Sequence, residues 1–222
     1  MDFSILLQGN TFLLMLQGLG YTVFYSTTGF VLAFAIGILI AFGQVSRGRF
    51  VQVVSSVYLS WFRSTPLLVQ LVLVYYGLPI AFGMDTAAWI CGIIGLGMYS
   101  GAYVSAVLRG AIVSIDKGQM EAGRCLGYSY WQTMLKVVLP QALKRAVPPL
   151  VNEYISLTKN SAMLSTITVT ELFRQTNQLI ARSFRTLELY LIAALLYYIL
   201  NNIVGLIGSL IEKKLRTGEE LS

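Results

Sequence analysis

Three ionisable side chains stand inside long apolar stretches of this 222-residue chain: Arg63, Glu153 and Lys159. An acidic group near the centre of a bilayer costs about 2.5–3.5 kcal/mol on insertion scales unless its surroundings compensate it. Two kinds of compensation suit Glu153. In a water-filled cavity its carboxylate would accept charge-assisted hydrogen bonds from the ammonium or guanidinium group of a solute. Alternatively it pairs with Arg63 or Lys159. Lys159 lies six residues on and points away on the same helix, so that pair needs another helix or another subunit. Ser156, Leu157 and Asn160 follow Glu153 at i+3, i+4 and i+7 and share its face. With the adjoining Asn152, these positions make Glu153, Asn152, Ser156, Asn160 and Arg63 the candidate solute contacts.

Other chemistries lack their parts. The chain has no histidine, the commonest metal ligand and near-neutral proton shuttle. Its two cysteines, Cys91 and Cys125, stand far apart and suggest neither a metal site nor a disulfide framework. The Gly-x4-Gly-Lys-Ser/Thr phosphate loop is absent, as is a set of nucleophile, base and orienting group. The expectation is a non-enzymatic chain with no metal, no cofactor and no ATP site of its own. ATP energy would have to arrive through another chain.

A second constellation lies between apolar runs, from Lys117 to Pro140. Glu121-Ala122-Gly123 is followed after three residues by Gly127, then after nine by Val137, and one further on by Leu139-Pro140. Residues 118–126 suffice for two helical turns. Gly127 suits a left-handed stop, because glycine lacks the Cβ that penalises that conformation. Ala122 and Gly123 would let another backbone approach closely, and Glu121 can pair with a basic partner group or cap a helix. Gly123 also weakens the helix by about 1 kcal/mol relative to alanine.

The elements that must carry these residues are membrane spans. Hydrophobic residues make up 56% of the chain and charged residues 12%, against about a quarter charged in a soluble domain. That composition, with long apolar runs, describes an all-α integral membrane protein. Five spans are expected, at about 11–42, 51–78, 87–108, 147–169 and 187–211, with a loop at 109–146 that holds the Glu121-to-Pro140 pattern. Span one amounts to about 48 Å of helix against about 30 Å of hydrocarbon, so it tilts, breaks or begins as an interfacial piece. Pro66 should kink span two, with Arg63 in the turn before it or snorkelling to an interface. Pro79 to Thr86, with Asp85, reads as a short loop. Gly92, Gly95, Gly97 and Gly101 mark span three as closely packed. Pro148-Pro149 should open span four in a first turn, where proline is tolerated. Span four is the most polar and should line a bundle axis or a dimer interface. Residues 171–188 read as a polar connection. Met1 to Asn10 carries no basic n-region or cleavage site, so no removable signal is expected.

Charge placement supplies an orientation. With the 109–146 loop inside, eleven basic residues fall on the cytoplasmic side: Arg47, Arg49, Arg109, Lys117, Arg124, Lys136, Lys144, Arg145, Lys213, Lys214 and Arg216. Arg174, Arg182 and Arg185 fall outside. That asymmetry fits the positive-inside rule and places the N-terminus outside and the C-terminus in the cytoplasm. The net charge of +6 thus reflects topology and anionic headgroups, not nucleic acid.

The Glu121-to-Pro140 spacing resembles the EAA loop of ABC-transporter importer permeases, with glycine at 123 where alanine is usual and valine at 137 where isoleucine is common. Arg63-Ser64-Thr65-Pro66-Leu67-Leu68 resembles that family's Arg-Gly-Thr-Pro-Leu-Leu segment. Tyr103 to Gly110 resembles a segment that often carries glutamate where Ala106 stands. Asn152-Glu153 and Lys159-Asn160-Ser161-Ala162-Met163 resemble its Asn-Glu and Lys-x-Thr-Ser-Leu elements. The likeness runs through nearly the whole chain and is closest to five-span permeases of polar amino acid uptake. It implies the type I importer permease fold, with a cytoplasmic coupling helix between spans three and four. Glu121, Ala122, Gly123, Gly127, Leu139 and Pro140 then take the ATPase-coupling role. The implied partners are an ATP-binding cassette subunit that binds the ATP, an extracytoplasmic solute-binding protein and a second permease chain, identical or related. The implied location is the bacterial cytoplasmic (inner) membrane, as a multi-pass protein. Glu153 points to a cationic amino acid (arginine, lysine or histidine), with glutamine or cystine as alternatives. A secondary transporter or channel subunit would also bury Glu153 and Arg63. It would not need the Glu121-to-Pro140 pattern, and the inverted repeats of many such folds are not seen.

Overall fold

A computed structural model describes residues 10–46, 48–83 and 86–216. The expectations for the first nine residues, for Arg47 and Asp85 and for the tail beyond Arg216 lie outside the described residues.

Helices α1 (Thr11–Val45) and α4 (Ala88–Val113) form the spine of an all-helical bundle. Their approach depends on missing side chains. A Cβ on Gly37 would lie 2.5 Å from Val104 Cγ1, and one on Gly97 would lie 2.6 Å from Leu32 Cδ2. Small residues let membrane helices exchange lipid contact for close van der Waals contact. Helix α1 runs unbroken through its 35 residues.

The other elements are α2 (Arg49–Ser64), α3 (Leu67–Phe82), α5 (Lys117–Cys125), α6 (Tyr130–Thr133), α7 (Leu139–Asn160), α8 (Leu172–Ser183) and α9 (Thr186–Arg216). A π-helical turn, Met134–Val138, joins α6 to α7, and a 3-10 segment, Ser161–Ile167, follows α7. Three buried clusters stack along the bundle. Ala41, Leu108, Met134 and Val138 pack beside α5 and α6. Leu71, Leu96, Leu157 and Leu164 fill the middle. Met15, Leu172, Leu179 and Leu189 close the far end.

Among the described residues, α1, α4 and α9 are long and apolar enough to cross a membrane, and α2 with α3 qualifies as one bent pair. Helix α7, the expected fourth span, is too polar to meet that measure.

Four boundaries differ from expectation. Span two is broken, not kinked: α2 and α3 are bent by 111°. Thr65, just before Pro66, is extended (φ −112°, ψ 143°), as steric conflict with the proline ring requires. Helix α3 also runs past Pro79 to Phe82 and stops at Gly83, which is left-handed at φ 64°. Pro148 and Pro149 lie inside α7, which begins at Leu139, so the carbonyls one turn earlier lose their usual donors without ending the helix. Residues 172–183 of the expected polar connection form α8, which buries Leu172, Thr176 and Leu179 at helical spacing.

Candidate functional site

Glu153 faces α4. Its Oε1 accepts a 2.7 Å hydrogen bond from Ser100 Oγ, and Ser100 is fully buried. On the same face of α4, Tyr99 lies within electrostatic range of Glu153 and donates to Tyr103 Oη at 3.3 Å, with ring centroids 5.0 Å apart. The Arg63 guanidinium, at the end of α2, sits 5.9 Å from the Tyr103 ring centroid, close enough for cation–π attraction. The structure therefore lines up Arg63, Tyr103, Tyr99 and Ser100 toward Glu153. Neither Arg63 nor Lys159 makes an ion pair with Glu153 among the described residues.

Helix α7 holds the remaining candidates at about 100° per residue. Asn152 and Lys159 are exposed, Met163 is 42% exposed, and Ser156 and Asn160 are half-buried. They form a stripe, continued by Met163 in the 3-10 segment, that the described residues leave uncovered, with Glu153 and Asn160 at its edge. The opposite side is tied to its neighbours: Tyr154 Oη bonds Thr27 Oγ1 at 2.8 Å, and Thr158 Oγ1 bonds Asn201 Oδ1. Leu157 is fully buried beneath.

The second constellation forms a helical hairpin at one end of the bundle. Asp116 caps α5, its Oδ1 accepting from Gly118 N at 2.6 Å. Gly127 adopts φ 78°, and Tyr128 N donates back to Gly123 O at 3.0 Å, the closure a glycine stop provides. Ser129 and Gln132 then start α6 with a reciprocal capping box. Gly123 is packed inside the hairpin: a Cβ there would lie 2.3 Å from Thr133 Cγ2. Its small size therefore lets α5 and α6 meet, and the close neighbour is the Thr133 side chain. Arg145 Nη1 donates to Ser114 O at 2.6 Å, and Gln141 Nε2 to Gln119 Oε1 at 3.2 Å, so the hairpin and the base of α7 are joined. Glu121, Ala122 and Arg124 point outward, with Leu126 75% exposed and Trp131 57% exposed. Leu139 turns inward with Phe34, Ile38 and Leu108 around a small apolar cavity, while Pro140 is exposed.

Three features escape the sequence reading. Ser100 lies 53 residues away in sequence from the carboxylate it contacts, and its only advance signal is the polar run Tyr99-Ser100-Tyr103. Glu171 is fully buried. It accepts from Phe173 N (2.7 Å), Arg174 N (2.8 Å) and Tyr197 Oη (3.0 Å), while Arg174 Nη1 donates to Ser165 O at 2.9 Å. Arg174 is thus an interior cross-link, not a loop charge. The third is a polar recess of about 530 Å³ at the end far from the hairpin, lined by Gln17, Tyr21, Trp89, Thr168, Gln175 and Gln178. No group of three or more metal-ligating side chains occurs among the described residues.

Comparison with known proteins matches residues 33–217 to the family model for a binding-protein-dependent transport system inner membrane component. The arginine transport system permease protein ArtQ of Bacillus subtilis (strain 168) is 36% identical over 99% of this chain and 99% of its own. The glutamine transport system permease protein GlnP of Escherichia coli (strain K12) is 34% identical over 91% of this chain and 93% of its own. A chain from the crystal structure of an amino acid ABC transporter with histidines superposes with a TM-score of 0.88 at 34% identity, covering 96% of this chain and 99% of that one.

Proposed function

The chain belongs to the family of binding-protein-dependent transport system inner membrane components, and from that membership we infer that it is the permease of an ABC amino acid importer. It is a multi-pass membrane subunit, and the ATPase activity resides on a separate cytoplasmic chain. The α5–α6 hairpin is the handle which that ATPase grips, with Glu121, Ala122 and Arg124 on the gripping surface and Gly123 and Gly127 shaping it. The uncovered stripe of α7 faces a second permease chain and the translocation path. A solute-binding protein delivers substrate at the far end. The hairpin and the C-terminus are cytoplasmic, and the N-terminus is outside.

The substrate carries a cationic side chain. The observation that supports this is Glu153, which accepts from Ser100 and has no basic side chain paired to it among the described residues. An ammonium or guanidinium group would supply the charge-assisted partner that the site lacks. Asn152, Ser156 and Asn160 contribute neutral contacts, and Arg63 suits the substrate carboxylate.

The test is uptake into liposomes that hold the complete importer. Glu153→Gln keeps the shape of the side chain and removes its charge. Losing a hydrogen bond to a charged group costs about 1.5–3 kcal/mol, or about ten- to a hundredfold in apparent affinity. Arginine uptake should weaken by that factor while glutamine uptake changes little. Equal loss for both solutes would favour a neutral polar substrate, and no loss for either would remove Glu153 from the site.

A further inference from the structure

The break between α2 and α3 has a dedicated clasp. Pro66 has no N–H, so the Phe62 carbonyl one turn earlier loses the donor a continuous helix would give it. Gln70, one turn into α3, supplies that donor from its side chain. Its Nε2 donates to Phe62 O at 3.1 Å, to Thr65 O at 3.1 Å and to Thr65 Oγ1 at 2.7 Å. Gln70 is only 3% exposed. Three oxygens around one amide nitrogen fix its orientation, because the flipped amide would set Oε1 against them. Thr65 completes the arrangement by donating through Oγ1 to Trp61 O at 2.8 Å. Buried carbonyls in a low-dielectric setting are costly to leave unpaired, so these bonds favour one bend over others.

That bend places Arg63. The guanidinium lies on the last turn of α2, two residues before Thr65, and reaches the Tyr103 ring next to Tyr99 and Glu153. We propose that Gln70 is a positioning residue: its amide stands in for the N–H that Pro66 lacks, sets the angle of the α2–α3 break and thereby holds Arg63 beside the Glu153 site. Gln70 touches no solute in this account; it acts through Arg63. The uptake consequence rests on the transport reading above, whereas the geometric consequence does not.

Two assays on the complete importer separate these. In the first, Val54→Cys on α2 and Ile80→Cys on α3 carry spin labels, in a background of Cys91→Ala and Cys125→Ser. The interlabel distance should be narrowly distributed with Gln70 present and should broaden and shift in Gln70→Met. An unchanged distribution overturns the clasp, whatever the protein transports. In the second, Gln70→Met should raise the KM for arginine uptake about tenfold, the loss of about one well-made hydrogen bond. In an Arg63→Gln background it should add nothing further. Effects that multiply would show that Gln70 does not act through Arg63. Should Gln70→Met fail to assemble, Thr65→Val removes one of the three acceptors and leaves Gln70 in place. It should shift both readouts in the same direction by less, and no shift in either overturns the proposal.

Discussion

Gly123→Ala is the substitution for which helix propensity and packing make opposite predictions. Position 123 lies within α5, where alanine is favoured over glycine by about 1 kcal/mol. Taken alone, that stabilises the hairpin. The packing opposes it. The new Cβ would stand 2.3 Å from Thr133 Cγ2, 2.7 Å from its Oγ1 and 3.0 Å from its Cβ. Thr133 is fully buried and donates to Ser129 O at 3.0 Å, so it is not free to swing aside. Overpacking of this kind costs about 1–3 kcal/mol. The net expectation is a loss of up to about 2 kcal/mol. For a chain of this size that is a fall of up to about 4–8 °C in the unfolding midpoint of the purified complex. Thr133→Ala removes the two closest of these atoms, Cγ2 and Oγ1, and should rescue Gly123→Ala, so that the double variant melts above the Gly123→Ala single. The assay is thermal unfolding followed by tryptophan fluorescence, with Trp131 in the hairpin as a local reporter. A Gly123→Ala variant that melts higher than the parent would refute the reasoning, since it would mean that the hairpin has room for the methyl group.

Further outcomes follow from the same geometry. Gly37→Val should prevent stable assembly, because even a Cβ there would lie 2.5 Å from Val104 Cγ1 on the spine; expression of a monodisperse complex in detergent checks this. Gly127→Val should destabilise the hairpin by about 1–2 kcal/mol, since φ 78° penalises a β-branched residue, and should reduce the amount of ATPase that copurifies. Ser100→Ala leaves Glu153 without its hydrogen-bond donor and should weaken arginine uptake by about three- to tenfold, less than Glu153→Gln, in a direct comparison of KM values.

The parts of the fold legible in the sequence are those fixed by local chemistry. The apolar runs announce α1, α4 and α9 because a membrane span must satisfy its backbone internally over a known length. Gly127 announces the end of α5 because a left-handed stop is a local device; the caps at Asp116 and Ser129 are findings of the structure. What stays hidden depends on distant partners. Pro66 signals a disturbance, but the sequence alone does not decide between a gentle kink and the 111° break, across which Gln70 bonds back to Phe62. Pro148-Pro149 looks like a helix start, yet packing of Ala142 and Ala146 carries α7 through it. Glu171 resembles a loop carboxylate until Thr22, Arg174 and Tyr197 gather around it and Leu172. At the candidate site, Glu153 is conspicuous as a charge among apolar residues, whereas the polar run Tyr99-Ser100-Tyr103 does not single out Ser100 as its partner. Gly123 reads as a flaw in a helix, and only the position of Thr133 turns it into a packing requirement.

The central claim is that a separate ATPase drives this permease through the hairpin. It is tested most directly by ATP-dependent uptake of radiolabelled arginine into liposomes that hold the permease, its ATPase and its binding protein. Uptake should require ATP and the ATPase subunit, and Glu121→Lys should abolish both uptake and copurification of the ATPase. Uptake by the permease without the ATPase, or full activity in Glu121→Lys, would contradict it.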